Sequence, residues 1–160
     1  MALNHAWSTK LDSNETSTKE QLGILRTEWS SADSCFKTYK YVQAAADTTV
    51  ANGTALCYTD TLGQVASSDI SDGNVNQPLG VGIGAITASS YGWVQIGGYH
   101  SAVLTNGDDD IADGDSIILG ADGVVDSVAS GTAPTSKIVG VAVAADVDAN
   151  NTVATMISCF

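Results

Sequence analysis

Few residues in this chain have the types and spacing that could run a reaction. Nucleophilic catalysis at Ser, Thr or Cys needs a base beside the nucleophile, normally His, and the sequence holds only His5 and His100. His5 lies in a polar N-terminal segment. His100 follows Gly97-Gly98-Tyr99, where the pattern predicts a strand edge at the surface or an interface. Arg26 is the single arginine, a poor provision for clamping a phosphate or carboxylate substrate. Asp108, Asp109, Asp110, Asp113 and Asp115 crowd one turn, NGDDDIADGD. Paired carboxylates could cleave a glycoside, and clustered ones could hold calcium. A helical calcium loop, however, requires alternating oxygens, a glycine at the sixth position and a Glu at the twelfth. Counting from Asp108, the fifth residue is Ala112, the sixth is Asp113 and no Glu closes the loop. A solvated acidic turn is the ordinary reading.

Two further patterns point to packing. Gly80-Val-Gly-Ile-Gly-Ala has GxGxG spacing, but no helical pattern follows it, and pyrophosphate binding needs that helix N-terminus. Glycines so placed permit bulges or close strand approach. Tyr91, Trp93 and Tyr99 could stack on a sugar, yet Trp93 alternates with Gln95 as in a strand packed on a core or a subunit. Cys35, Cys57 and Cys159 lack metal-ligand spacing and are odd in number, so no intrachain disulfide is expected and assembly in a reducing cytosol fits. The expectation is a non-enzyme without cofactor or metal.

The elements that must position these residues read as strands. At 160 residues and 44% hydrophobic content, the chain suffices for one domain with its own core. The apolar residues are mostly Ala, Val, Ile and Leu beside 16 glycines, which suits short strands and tight turns. FKTYKYVQAA places Tyr39 and Tyr41 on one face. TALCYTD follows a turn at Asn52-Gly53. QVAS comes next, and LGVGIGAITASSYGWVQIGGYHSAVLT reads as at least three strands broken at Ser89-Ser90 and Gly97-Gly98. DSIILG, VVDSVA, KIVGVAVAADV and TVATMISCF complete the series, with turn signals about every ten residues, as in a sandwich or barrel. Helix is admitted only near Ala44–Ala46 or in the N-terminal segment.

The strands also repeat, with a shift of about sixty residues. Gly53-Thr-Ala-Leu followed by Gly63-Gln-Val-Ala-Ser matches Gly114-Asp-Ser-Ile followed by Gly123-Val-Val-Asp-Ser. Pro78-Leu-Gly-Val matches Ile138-Val-Gly-Val, so that Gly80-Val81 falls on Gly140-Val141. Two such units could bury one apolar face against the other in a small pseudo-symmetric barrel.

Residues 1–35 differ from the rest and are read as an arm preceding a barrel at 36–160. Residues 1–40 carry five basic and five acidic side chains, whereas residues 41–160 carry only Lys137 against thirteen acidic ones. The whole formal charge of −12 therefore lies in the second part. Such a surface repels a phosphate backbone, so nucleic acid is not an expected partner. No apolar run approaches membrane-spanning length, and the N-terminus lacks a signal-peptide pattern. Leu3, Trp7, Leu11, Leu22, Ile24, Leu25 and Trp29 are spaced along the arm as contacts for an interface. The barrel from Phe36 onward is expected to fold without them.

In order and style, LGILRTEW, TYKYVQAA, NGTALCYTD, PLGVGIGAI, YGWVQIGG, DGDSIILGADGVV and IVGVAVAAD resemble head decoration (cement) proteins of tailed bacteriophages, over roughly residues 22–158. The resemblance implies an all-β fold, a small β-barrel or β-tulip-like module, assembled as a homotrimer on the outer capsid surface of the virion. There it would bind across neighbouring major capsid protein subunits, after assembly in the host bacterial cytoplasm, with no catalytic residues. The alternatives from other classes are a head-fibre, tail-spike or carbohydrate-binding β-module using Trp93, Tyr91 and Tyr99, and a small hydrolase, which the lack of a well-placed base and the single arginine disfavour.

Overall fold

A computed structural model describes residues 7–70, 77–107, 111–129, 131–133, 138–146 and 151–159. The fold is all-β. Ten strands form one curved sheet: β1 (Leu25–Ser30), β2 (Cys35–Ala44), β3 (Ala55–Tyr58), β4 (Val65–Ser67), β5 (Pro78–Gly82), β6 (Tyr91–Leu104), β7 (Ser116–Leu119), β8 (Val125–Val128), β9 (Ile138–Ala142) and β10 (Thr152–Ser158). Among the described residues the only helical element is a 3-10 turn, Ala121–Gly123. Ala44 ends a strand, and the described part of the arm is without helix, irregular as far as Ile24 and then the strand β1.

The sheet order is β1-β2-β4-β3-β5-β6-β10-β9-β7-β8, and β6 also returns to β2. The strands β2, β4, β3, β5 and β6 thereby close a five-stranded, barrel-like ring. Its one parallel pair joins Gln43 and Ala44 to Val65 and Ala66.

The internal repeat holds at the level of single hydrogen bonds. Gln43 faces Tyr91 in the β2–β6 pair, and Leu104 faces Thr152 in the β6–β10 pair, both partners sixty-one positions further on. Leu56 faces Gly80 before the register slips to Cys57–Pro78; Ile117 faces Gly140 before the same slip to Ile118–Ile138. The parallel pairing of β2 with β4 through Gln43–Val65 and Ala44–Ala66 has its counterpart, one residue out of register, in the parallel bridge Thr105–Val125. Gly53 donates to the Gly82 carbonyl at 2.9 Å, and Gly114 to that of Ala142 at 3.0 Å. The chain is therefore two rings in series, with β6 shared: its first half completes ring one, and its second half opens ring two.

That sharing corrects one expectation. Gly97-Gly98 does not break the strand, because β6 runs through it for 14 residues. Gly98 has φ of +91°, and a Cβ there would lie 2.4 Å from the Phe36 carbonyl oxygen. The glycines let β2 cross closely at the point where β6 passes from one ring to the other. The Asn52-Gly53 turn exists, with Gly53 at φ +83°, but it joins no hairpin: β3 pairs with β4 and β5, not β2.

One apolar core runs through both rings, from Val42, Leu56, Leu79 and Val94 to Val103, Ile117, Val139 and Ile157. A second, smaller cluster lies outside ring one, around Tyr39, Tyr41 and Trp93. The predicted boundary at residue 36 falls just past the turn of a β-hairpin, since β1 pairs along β2 from Leu25–Lys40 to Ser30–Cys35.

Candidate docking surface

The arm residues divide sharply in the folded chain. Leu3 lies outside the described residues. Trp7, Leu11, Leu22 and Ile24 pack on the cluster of Tyr39, Tyr41 and Trp93. The rings of Trp7 and Trp93 meet edge to face with centroids 5.2 Å apart, as do those of Tyr41 and Trp93, a favoured aromatic geometry. The Trp93 Nε1–H donates to Thr9 Oγ1 at 2.8 Å, which satisfies the one polar atom of a buried indole. Arg26 spreads over both indoles, 5.5 Å from Trp7 and 5.6 Å from Trp93, and donates to the Thr9 carbonyl at 3.0 Å. Such stacking suits a weakly hydrated guanidinium.

Backbone hydrogen bonds hold the arm in place as well. Glu15 and Tyr91 exchange a pair at 2.9 and 2.8 Å, and Tyr41 does the same with Gly23 and Ile24 at 2.8 and 3.1 Å. Glu20 folds the arm on itself by accepting from the Ser8 amide at 2.7 Å and hydroxyl at 2.8 Å. Burial pushes the Glu20 carboxyl up, but its hydrogen bonds from Ser8 and Thr9 outweigh that and leave it below the usual range. These four apolar arm residues are thus spent on the chain's own first ring.

Leu25 and Trp29 have a different position. They lie on one face of the β1–β2 hairpin with Phe36, where all three are exposed, Trp29 at 56% and Phe36 at 65%. Trp29 and Phe36 are directly paired across the strands, with ring centroids 5.1 Å apart. The hairpin turn is braced: Ser30 donates to Asp33 at 2.7 Å, and Lys37 pairs with Asp33 at 2.7 Å. Hydrogen bonds from the Lys37 ammonium and Ser30 hold the Asp33 carboxyl below its usual range. A braced tip therefore presents two aromatic rings, packed edge to face, to solvent. Sequence reading missed Phe36 as a contact residue, because alternation assigned it to the barrel; the signal was its place opposite Trp29 across the short turn SADS.

The other candidates have structural roles. His100 is buried in mid-strand, opposite Thr155, and not at a surface edge. Its Nδ1 accepts from the Ala102 amide at 3.2 Å. Burial and the nearby Lys37 ammonium hold its pKa below the ordinary histidine value, against a hydrogen bond with the Gly82 backbone. Trp93 is enclosed and offers no face to a sugar. Of the acidic turn, Asp108, Asp109 and Asp110 lie outside the described residues, as does His5. Asp115 is buried and accepts from the Ala112 amide at 2.9 Å. Thr54 Oγ1 accepts from the Ala51 amide at 3.1 Å in the first ring, so Asp115 closes the equivalent turn. Among the described residues no three His, Cys, Asp or Glu side chains are grouped to hold a metal ion. Cys57 and Cys159 are buried and Cys35 is partly so; burial pushes the Cys159 thiol up to about 12.

No family model matches the chain, and no curated protein matches it. Among solved structures it is similar to the N base of the head fiber protein gp8.5 of bacteriophage phi29, at 19% identity and a TM-score of 0.49, over 76% of this chain and 94% of that one.

Proposed function

We propose that this chain is a non-enzymatic structural protein of a tailed-bacteriophage virion. It decorates the outer capsid surface by docking across neighbouring major capsid protein subunits, as a homotrimer assembled in the host cytoplasm. The observation that carries this reading is the β1–β2 tip: Leu25, Trp29 and Phe36 exposed together on a hairpin braced by Asp33, Lys37 and Ser30. Paired aromatics on a stiff support are good interface anchors, since little conformational freedom is lost when they are enclosed. The arm strengthens the support by locking the base of that hairpin to the first ring through Arg26, Tyr39 and Tyr41. The resemblance of residues 22–158 to head decoration proteins supplies the partner.

The test is cosedimentation of the full chain with capsids that lack it, alongside a glycan-binding screen. Saturable binding to capsids without glycan binding supports the reading. Glycan binding without capsid binding favours a carbohydrate module and overturns it.

A further inference from the structure

The two rings use the same registers, but equivalent faces meet different surroundings. In ring one, the outward face of β3, β5 and β6 is covered: Ala55, Val81 and Gln95 are all buried. Ring two covers it. Strand β5 touches β9 and β10, β3 touches β7, and the β7–β8 turn sets Gly123 against Thr54, Ala55 and Ser68, where a Cβ would lie 2.7 Å from Thr54 Cγ2.

The equivalents in ring two follow from the shared register. Val81 faces Ala55 and Gln95; Val141 faces Ser116 and Met156. Among the described residues nothing covers that second face. Val141 and Met156 are each 43% exposed, beside exposed Ile138 and Val143. In a stack of repeats the terminal unit normally turns a polar face outward. Ring two ends the stack with an apolar one, as an inner unit would.

The complementary piece is present in ring one. The β7–β8 turn that docks on ring one corresponds to the β3–β4 turn of ring one itself. That turn carries Leu62, the most exposed large apolar residue described, at 75%. We infer that two copies of this chain join head to tail, the β3–β4 turn of one, with Leu62 leading, seated on the Val141–Met156 face of the next. The contact repeats between chains what the β7–β8 turn does within one. It is heterologous, each copy using two different surfaces, and such contacts close into rings when the rotation allows. This deepens the proposed reading and rests only on its self-association.

The test needs no capsid. Light scattering of the full chain should give a multiple of the 16.3 kDa monomer mass. Val141→Asp and Leu62→Asp, each checked for an unchanged circular dichroism spectrum, should each weaken assembly at least tenfold; Met156→Lys replaces Val141→Asp should that chain fail to fold. Mixing the Leu62→Asp and Val141→Asp chains leaves one intact contact per pair and should yield a two-chain species and nothing larger. A monomeric wild-type chain, variants that assemble as before, or a mixture that stays monomeric would each overturn the inference. Capsid cosedimentation of the same proteins reads the decoration function separately, so loss of one result does not imply loss of the other.

Discussion

Ring one and ring two are built to the same plan, down to the slip after Leu56–Gly80 and Ile117–Gly140 and the side-chain cap of the turn at Thr54 and Asp115. They differ in what lies outside them. Ring one is wrapped by the arm over Tyr41 and Trp93 and by ring two over Val81 and Ala55. It closes with a two-residue parallel pair, whereas ring two closes through the single bridge Thr105–Val125 and leaves Val141 and Met156 bare. Local sequence code thus sets register and turn, while burial is set by what is added around each copy. The same strand position is core in one unit and surface in the other.

The largest effect is expected from unwrapping ring one. Deleting residues 1–20 removes Trp7, Leu11 and the Thr9 partner of Trp93. It should cost at least about 3 kcal/mol in urea unfolding, since each large apolar side chain contributes about 1.5–3 kcal/mol on burial. Trp93→Ala should cost about 3–5 kcal/mol. A truncated chain with an unchanged unfolding midpoint would show the arm to be an accessory. That was the expectation from sequence alone, and the contacts of Trp7 and Thr9 argue against it.

A smaller and sharper test uses one substitution at the two equivalent sites. Val81→Ala should cost roughly 1.5–2.5 kcal/mol, two buried carbons with a cavity left behind. Val141→Ala, on the exposed face, should stay within about 0.5 kcal/mol for the isolated chain. Equal costs at both sites would mean that the faces are not differently covered.

The smallest effect is on pH. His100 is neutral in the fold and its folded pKa is lowered, so unfolded chains bind the extra proton first. Its contribution to stability is present above the unfolded value of about 6.5. It is lost as pH falls from there through the folded value. The unfolding midpoint should drop between about pH 7 and 5, and His100→Gln should flatten that drop. A rise in stability over the same window would contradict the assignment.

The repeat and the alternating aromatics were legible in the sequence because both rest on local patterns: Gly80-Val81 against Gly140-Val141, and Tyr39 with Tyr41. Period-two alternation also placed most strands. What was not legible depended on long-range contact. Gly97-Gly98 reads as a break, yet is a close crossing with Phe36 in a continuous strand. His100 reads as surface, but only the neighbours Gly82, Ala102 and Thr155 reveal its burial. Leu3, Trp7 and Leu11 recur every four positions and Leu22, Ile24, Leu25 and Trp29 crowd one short segment, but no local signal tells that Trp7 turns onto Trp93 while Trp29 turns to solvent. That separation follows from β1 pairing with β2, which carries Trp29 to the hairpin tip beside Phe36.

On the proposed function, the hairpin tip binds the capsid while the wrapped ring supports it. The direct measurement is capsid cosedimentation of the Trp29→Ala/Phe36→Ala chain beside the wild type, with urea unfolding of both. Binding should weaken at least tenfold, about 1.4 kcal/mol or more, while unfolding shifts by no more than about 1 kcal/mol because both rings start exposed. Capsid binding as tight as wild type, with the same folded stability, would contradict the claim.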